Sequence, residues 1–287
     1  MSGTVLLTGA TGFLGRHVLS SLQEAGWNVL RGSRSPVKLD RDARVVQLDL
    51  ADPAAILGLA QKYRAEAVVH LACDVGLDAG ADDARLFVPN VLATGCVALL
   101  AREWGARMLF ASSVLVHGAR AERFAPDVAM APDTPYGRSK LLGEQLLARS
   151  GVEHAVLRIV GIFGGNGPVH LGINRAIGEA LHGQPPTLVG DGRARRNYVY
   201  VKDAAAAILA ALERQLVGTH YLAAAEILSV REMLDAICDA FLPGARPATR
   251  DGTPAADQVA EPSAELPAGR AFHDALDDIR RTSLKCA

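Results

Sequence analysis

The chain has 287 residues, 49% hydrophobic and 5% aromatic, with a formal net charge of −1. That length buries a substantial core in one large or two intimately joined domains, and the balanced charge gives no electrostatic case for nucleic acid or an acidic membrane surface. Cys73, Cys96, Cys238 and Cys286 are scattered without metal-ligand spacing and are expected as reduced thiols, with no metal site. No basic segment followed by an apolar one opens the chain, and no apolar run is expected to reach the length of a membrane span. A cytoplasmic protein is expected.

Val5, Leu6 and Leu7 read as a short buried strand, and Phe13 to Ala25 as the helix after it. Between them Gly9, Gly12 and Gly15 stand at three-residue spacing. Gly9 permits the sharp turn because it has no Cβ. Gly12 lets the backbone approach a pyrophosphate, and Gly15 lets the helix pack closely on the sheet. The helix start offers unpaired N–H groups and a positive dipole end to an anion. With Thr11, Phe13 and Leu14 these glycines are the first cofactor-binding candidates.

The next strand, Trp27 to Gly32, discriminates between cofactors. NAD-selective folds usually carry an acid at its end, on the ribose 2′-hydroxyl. Here the place falls at Ser33, flanked by Arg31 and Arg34. Two guanidinium groups and no carboxylate favour NADP(H) over NAD(H).

The alternation continues with strand Val45 to Leu48, helix Pro53 to Tyr63, strand Ala67 to Leu71 and a long helix from Asp82 to Trp104. Met108 to Ala111 is the fifth strand, Thr134 to Ser150 a helix and Ala155 to Arg158 the sixth strand. This pattern predicts an α/β fold with a parallel sheet covered on both faces. Beyond it come a glycine-rich loop, a helix from Ile173 to His182, a strand Thr187 to Val189 and a strand-like Tyr198 to Val201. Asp203 is expected to cap an Ala-rich helix, Ala204 to Glu213. Val230 to Phe241 is a further amphipathic helix. Pro243 to Gly269 is expected as an exposed or poorly ordered loop, and Phe272 to Ile279 as a short helix.

Tyr136 and Lys140 stand four apart in PYGRSK, on one face of a predicted helix. A phenol has a pKa near 10, and a neighbouring ammonium can lower it and hold a nicotinamide ribose. Ser112 and Ser113 follow the fifth strand, where a parallel sheet presents its ligand groups. These residues suit hydride transfer at a carbinol carbon, with Tyr136 exchanging the proton and Ser113 hydrogen-bonding the oxygen.

TGATGFLG, HLAC, FASSVLVHG, PYGRSK, LRIVGIFG and RRNYVYVKD occur in the order seen in the extended short-chain dehydrogenase/reductases. From about Thr4 to Leu242 the chain resembles their sugar-nucleotide epimerase/dehydratase/reductase group. The resemblance implies a Rossmann-type doubly wound domain over 1–162 and about 197–224. A smaller, interleaved α/β substrate domain would take about 163–196 and 225–287. It implies that Asp49 and Leu50 lie at the adenine and that Leu71, Ala72 and Cys73 line the cofactor. Asn90 would support the central strand near the site. Ser113, Tyr136 and Lys140 would be the catalytic triad, with Tyr136 and Lys140 also touching the cofactor. Arg196 sits where relatives bind a nucleotide phosphate. A homodimer built on the Asp82 to Trp104 and Thr134 to Ser150 helices is likewise implied.

The departures from the family pattern are informative. The acidic pair of its dehydratases is replaced by Val114 and Leu115, which cannot transfer protons, so a dehydratase is not expected. The motif tyrosine is His117, open to either substrate contact or packing. The asparagine after the sixth strand is Gly161, and the acid before Asp203 is Lys202. His170 lies in a loop where some relatives carry a catalytic histidine. Val114, His117, His170 and Arg196 are thus the substrate-binding candidates. The leading expectation is an NADP(H)-dependent 4-keto reductase acting on a nucleotide-activated sugar. The alternative is a 4-epimerase that retains its cofactor, and a non-catalytic NADP(H)-binding sensor is a third reading.

Overall fold

The computed structural model describes residues 3–33, 44–77 and 81–283. The chain opens with β1 (Thr4–Thr8), α1 (Phe13–Glu24), β2 (Asn28–Ser33), β3 (Arg44–Gln47), α2 (Pro53–Lys62) and β4 (Ala67–His70). Asp52 caps α2 by accepting from the Ala54 N–H, and Pro53 occupies the first helical turn, where its missing N–H costs nothing. Next come α3 (Asp83–Leu86), a π-helical turn (Phe87–Leu92) and α4 (Ala93–Trp104), one continuous helical run. Pro89 lies inside the widened turn, where it has no N–H to satisfy.

β5 (Arg107–Ser113) then leads into a 3₁₀ turn (Val114–His117), β6 (Arg123–Phe124), α5 (Pro135–Ala148), β7 (His154–Ile159) and β8 (Ile162–Phe163). α6 (Gly172–Leu181), β9 (Thr187–Val189), β10 (Arg195–Arg196), β11 (Val199–Tyr200), α7 (Val201–Glu213) and β12 (Gly218–Leu222) follow. The chain continues through β13 (Leu228–Ser229), α8 (Val230–Phe241), β14 (Ala248–Arg250), β15 (Val259–Ala260) and α9 (Phe272–Ser283).

Among the described residues the main sheet has seven strands in the order β12-β7-β5-β4-β1-β2-β3. β1 pairs in parallel with both β2 and β4, and β4 with β5. The strand order therefore reverses at β1 and β4, and ligands of such sheets bind beyond the carboxyl ends at that switch point. Thr8, His70 and Ser113 are those ends. On one face Leu6, Leu30, Val68, Met108 and Phe110 join Cys96, Val97 and Trp104 in a buried core. These are alternate positions along each strand, as a covered sheet requires.

The chain divides into two compact units. The first takes 1–119, 129–159 and 205–220, and the second 120–128, 160–204 and 221–287. Segment 120–128 belongs to the second unit because β6 pairs with β15.

Several local expectations are corrected. β5 runs through Ser112 and Ser113, because both continue its pairing with β7. α7 begins at Val201, so Asp203 sits inside its first turn and binds Arg270 at 2.8 Å instead of capping. The 243–269 stretch carries β14 and β15, which pair with β9 and β6. Asn197 hydrogen-bonds both backbone groups of Ala260 within it. The run Asp83–Trp104 spans 22 residues at mean hydropathy 1.6, long and apolar enough by composition to cross a bilayer. That overturns the expectation for apolar runs, but 56% of its apolar window is buried inside the protein, as in a core helix.

Candidate active site

Gly9 adopts φ +74°, and a Cβ there would stand 2.7 Å from the Ala72 nitrogen. A Cβ on Gly15 would collide with the Gly9 carbonyl. Only glycine serves at either place. The Gly12 N–H donates to the Gly9 carbonyl at 3.0 Å, and Gly12 stands at the N-cap of α1 with no side chain to cap the first turn. Backbone amides, a positive helix end and the absence of Cβ atoms together fit a pyrophosphate. Thr11 is exposed and Phe13 and Leu14 are half-buried beside it.

β2 contains no acidic residue. Arg31 is buried, in register with Leu7 and Val45, and Ser33 ends the strand half-buried. Arg34 lies outside the described residues. Asp49 is exposed and accepts from the Ala51 N–H, while Leu50 packs on the core.

α5 starts at Thr134, whose hydroxyl accepts from the Gly137 N–H at 3.0 Å. Lys140 is buried, and its Nζ donates to the Ala111 carbonyl at 2.7 Å, two residues before Ser113. The same ammonium lies 4.9 Å from the Phe110 ring centre and 5.7 Å from that of Tyr136. It thus anchors α5 to the end of β5. Ser113 Oγ accepts from the Leu115 N–H at 3.2 Å and starts the 3₁₀ turn. Burial pushes the Tyr136 phenol well above its ordinary value, and the adjacent Cys73 side chain adds to the effect. The sequence led us to expect a lowered phenol. Here desolvation dominates, with the Lys140 ammonium turned to a backbone carbonyl.

A buried ionic group that sequence reasoning missed lies behind these residues. Arg158 Nε and Nη2 donate to the two oxygens of Glu144 at 3.1 and 2.8 Å, and the Ser112 hydroxyl donates to the same carboxylate. The Arg158 Nη1 lies 3.4 Å from His117 Nε2, and His117 Nδ1 lies 3.1 Å from the Ala129 carbonyl. The ring therefore donates from Nδ1 and faces the guanidinium with its unprotonated Nε2. Both nitrogens of His117 are engaged inside the protein, which places it in packing. Val114 is buried as well. The available sequence signal was Glu144, four residues beyond Lys140 on the same helical face.

In the second unit His170 is exposed. Arg196 spends Nη1 on the carbonyls of Arg195 and Ala256. At Gly161, where the resemblance led to an asparagine, a Cβ would collide with the Tyr198 ring. Lys202 replaces the family acid and instead pairs with Asp278 of α9 at 2.7 Å, beside the Tyr200 hydroxyl.

The chain is 28% identical over 242 residues to methionine adenosyltransferase 2 subunit beta of Xenopus tropicalis, covering 82% of this chain and 71% of that protein. It is 27% identical over 286 residues to a dTDP-glucose 4,6-dehydratase of Xanthomonas campestris pv. campestris, covering 90% and 81%. The solved UDP-glucose 4-epimerase of Thermus thermophilus, in complex with NAD, superposes with a TM-score of 0.83 at 23% identity. That match covers 99% of this chain and 100% of the other, and it shows the fold. The model of the NAD dependent epimerase/dehydratase family matches residues 5–224, three quarters of the sequence, from within β1 to the loop after β12, and the chain belongs to that family.

Proposed function

We propose that the protein is an NADP(H)-dependent oxidoreductase that reduces the 4-keto carbon of a nucleotide-activated sugar. The observation that carries this reading is Tyr136 and Lys140 on α5, tied by the Lys140–Ala111 bond to the strand that ends in Ser113. The Gly9–Gly15 turn would hold the pyrophosphate, and Ser33 with Arg31 would take the ribose 2′-phosphate. Leu71, Ala72 and Cys73 would form the nicotinamide wall. When bound, the dinucleotide supplies hydride chemistry. Tyr136 supplies the proton to the substrate oxygen. A phenol, here raised further by burial, is protonated through neutral pH and so carries the proton to be given. Ser113 hydrogen-bonds the same oxygen, and Lys140 orients the ribose. Elimination is not part of the proposal, because Val114 and Leu115 put no carboxylate after Ser113.

Thermal-shift titration tests the cofactor first. NADP is expected to raise the melting temperature more than NAD, and Ser33→Asp is expected to cut the NADP preference by about tenfold or more. A shift with NAD and none with NADP would remove the 2′-phosphate reading. Screening of UDP-, dTDP-, GDP- and CDP-sugars follows, with NADPH absorbance as readout. Stoichiometric NADPH loss supports the reductase. Interconversion of sugar epimers with no net NADPH loss supports the 4-epimerase, which the same three residues would serve. Dinucleotide binding without any turnover would leave the sensor reading.

We also propose a homodimer through α4 and α5. Leu92, at the end of the π-helical turn, and Leu99 of α4 stand on either side of Gly95 in the chain, and Leu146 of α5 lies 3.7 Å from where a Gly95 Cβ would stand. Leu92, Leu99, Leu142 and Leu146 are all more than a third exposed. Such a contiguous apolar face marks an interface. Light scattering is expected to give twice the chain mass, and Leu99→Glu with Leu146→Glu to return it to one. A monomeric wild type would refute the dimer.

A further inference from the structure

A buried polar relay crosses the first unit from the glycine turn to α5. Its members, Thr8, His70, Thr94, Asn90 and Ser139, are each at most 4% exposed. The Thr94 hydroxyl donates to the Asn90 carbonyl at 2.6 Å, so towards His70 it accepts. His70 Nε2 therefore carries the ring proton and donates to Thr94 at 3.1 Å. His70 Nδ1 accepts from the Thr8 hydroxyl at 2.7 Å, and Thr8 Oγ1 accepts from the Ala72 N–H at 3.3 Å. Asn90 continues the relay. Its Oδ1 accepts from the Asp74 N–H at 2.7 Å, and its Nδ2 donates to the Asp74 carbonyl at 2.8 Å and to Ser139 Oγ at 2.9 Å. The Ser139 hydroxyl then donates to the Tyr136 carbonyl at 2.8 Å.

Each bond has one direction, and the arrangement holds only for a neutral imidazole. Burial, and second the Lys140 ammonium, lower the His70 pKa to about 3, so the ring is neutral throughout the neutral range. One end of the relay is the residue before Gly9. The other ends are the backbone of Tyr136 and of Asp74, which follows the Cys73 that flanks the Tyr136 phenol. Between them lies the π-helical turn around Pro89.

We propose that His70 is a positioning residue: through Thr94 and Asn90 it sets where Tyr136 stands relative to the phosphate-binding turn. The proposal deepens the reductase reading and rests on it for the catalytic consequence, though not for the placement of Tyr136. A merely space-filling His70 would be replaced without loss by phenylalanine, which keeps the stack on Phe110, now at 5.7 Å between ring centres.

Three variants test it: His70→Phe, Thr94→Val and Thr94→Ser. The first readout is the ionisation of Tyr136 in the free protein, taken as tyrosinate absorbance minus that of Tyr136→Phe. His70→Phe and Thr94→Val are expected to bring that ionisation down towards the ordinary phenol, and Thr94→Ser to leave it in place. The second readout is turnover, expected to fall about tenfold or more in the first two variants with a smaller change in dinucleotide KM, because small misplacements of a reacting group are costly. A folded Thr94→Val with wild-type Tyr136 titration and turnover would overturn the proposal, and that variant decides alone where His70→Phe does not fold. Where no nucleotide sugar is turned over by the wild type, the reductase reading fails, and the titration in the free protein still decides the relay.

Discussion

Tyr136→Phe is expected to lower turnover by about 10²–10⁴-fold, the usual worth of a positioned acid or base. The change removes one hydroxyl and leaves α5, the Lys140–Ala111 bond and the glycine turn in place. The dinucleotide Kd is therefore expected to stay within a few-fold, measured by fluorescence titration. The pH dependence follows from the raised phenol. Reduction needs the protonated form, which is complete below the ordinary value of about 10 and is lost only as pH rises past the higher value in the fold. Reduction should accordingly be flat through neutral pH and decline at the alkaline end. A Tyr136→Phe protein with full turnover would dispose of both the reductase and the epimerase readings.

Arg158→Met carries the largest expected effect on stability. Glu144 and Arg158 side chains are each only 9% exposed, so removing the guanidinium strands a carboxylate in the interior with the Ser112 hydroxyl still donating to it. Breaking a buried pair on one side costs about 3–5 kcal/mol, since the surviving charge keeps its desolvation penalty without the compensating attraction. The double variant Glu144→Leu with Arg158→Met is expected to recover much of that loss, because neither charge then remains. Urea unfolding midpoints measure both. A loss below about 1 kcal/mol in Arg158→Met, the range of an exposed pair, would mean that water reaches the site.

The parts of the fold legible in the sequence are those written in local chemistry. The glycine turn is readable because Gly9 and Gly15 stand where a Cβ cannot, and α5 because a capping Thr134 and Pro135 precede Tyr136 and Lys140. The end of β5 was misread because Ser112 and Ser113 look like loop residues, whereas the parallel neighbour β7 keeps them in the strand. The two-residue strands are invisible for the same reason: β6 and β15 exist only through each other, across more than 130 positions. Proline content concealed β14 and β15. The buried groups behind the site were the least legible. Glu144, Arg158 and His117 come from α5, β7 and the 3₁₀ turn, and only the fold brings them together. The Asn90 clamp depends on Asp74 and Ser139, which only the fold brings to it.

Tyr136, Lys140 and Glu144 occupy successive turns of one side of α5, so this helix turns polar groups inward where most helices turn aliphatic ones. Lys140 is matched to a carbonyl of β5 and Glu144 to a guanidinium on β7. Variation at Lys140 or Glu144 is therefore constrained from outside the helix: any residue drawn there must suit a partner fixed on another strand. Libraries built on this helix would do well to leave the stripe untouched.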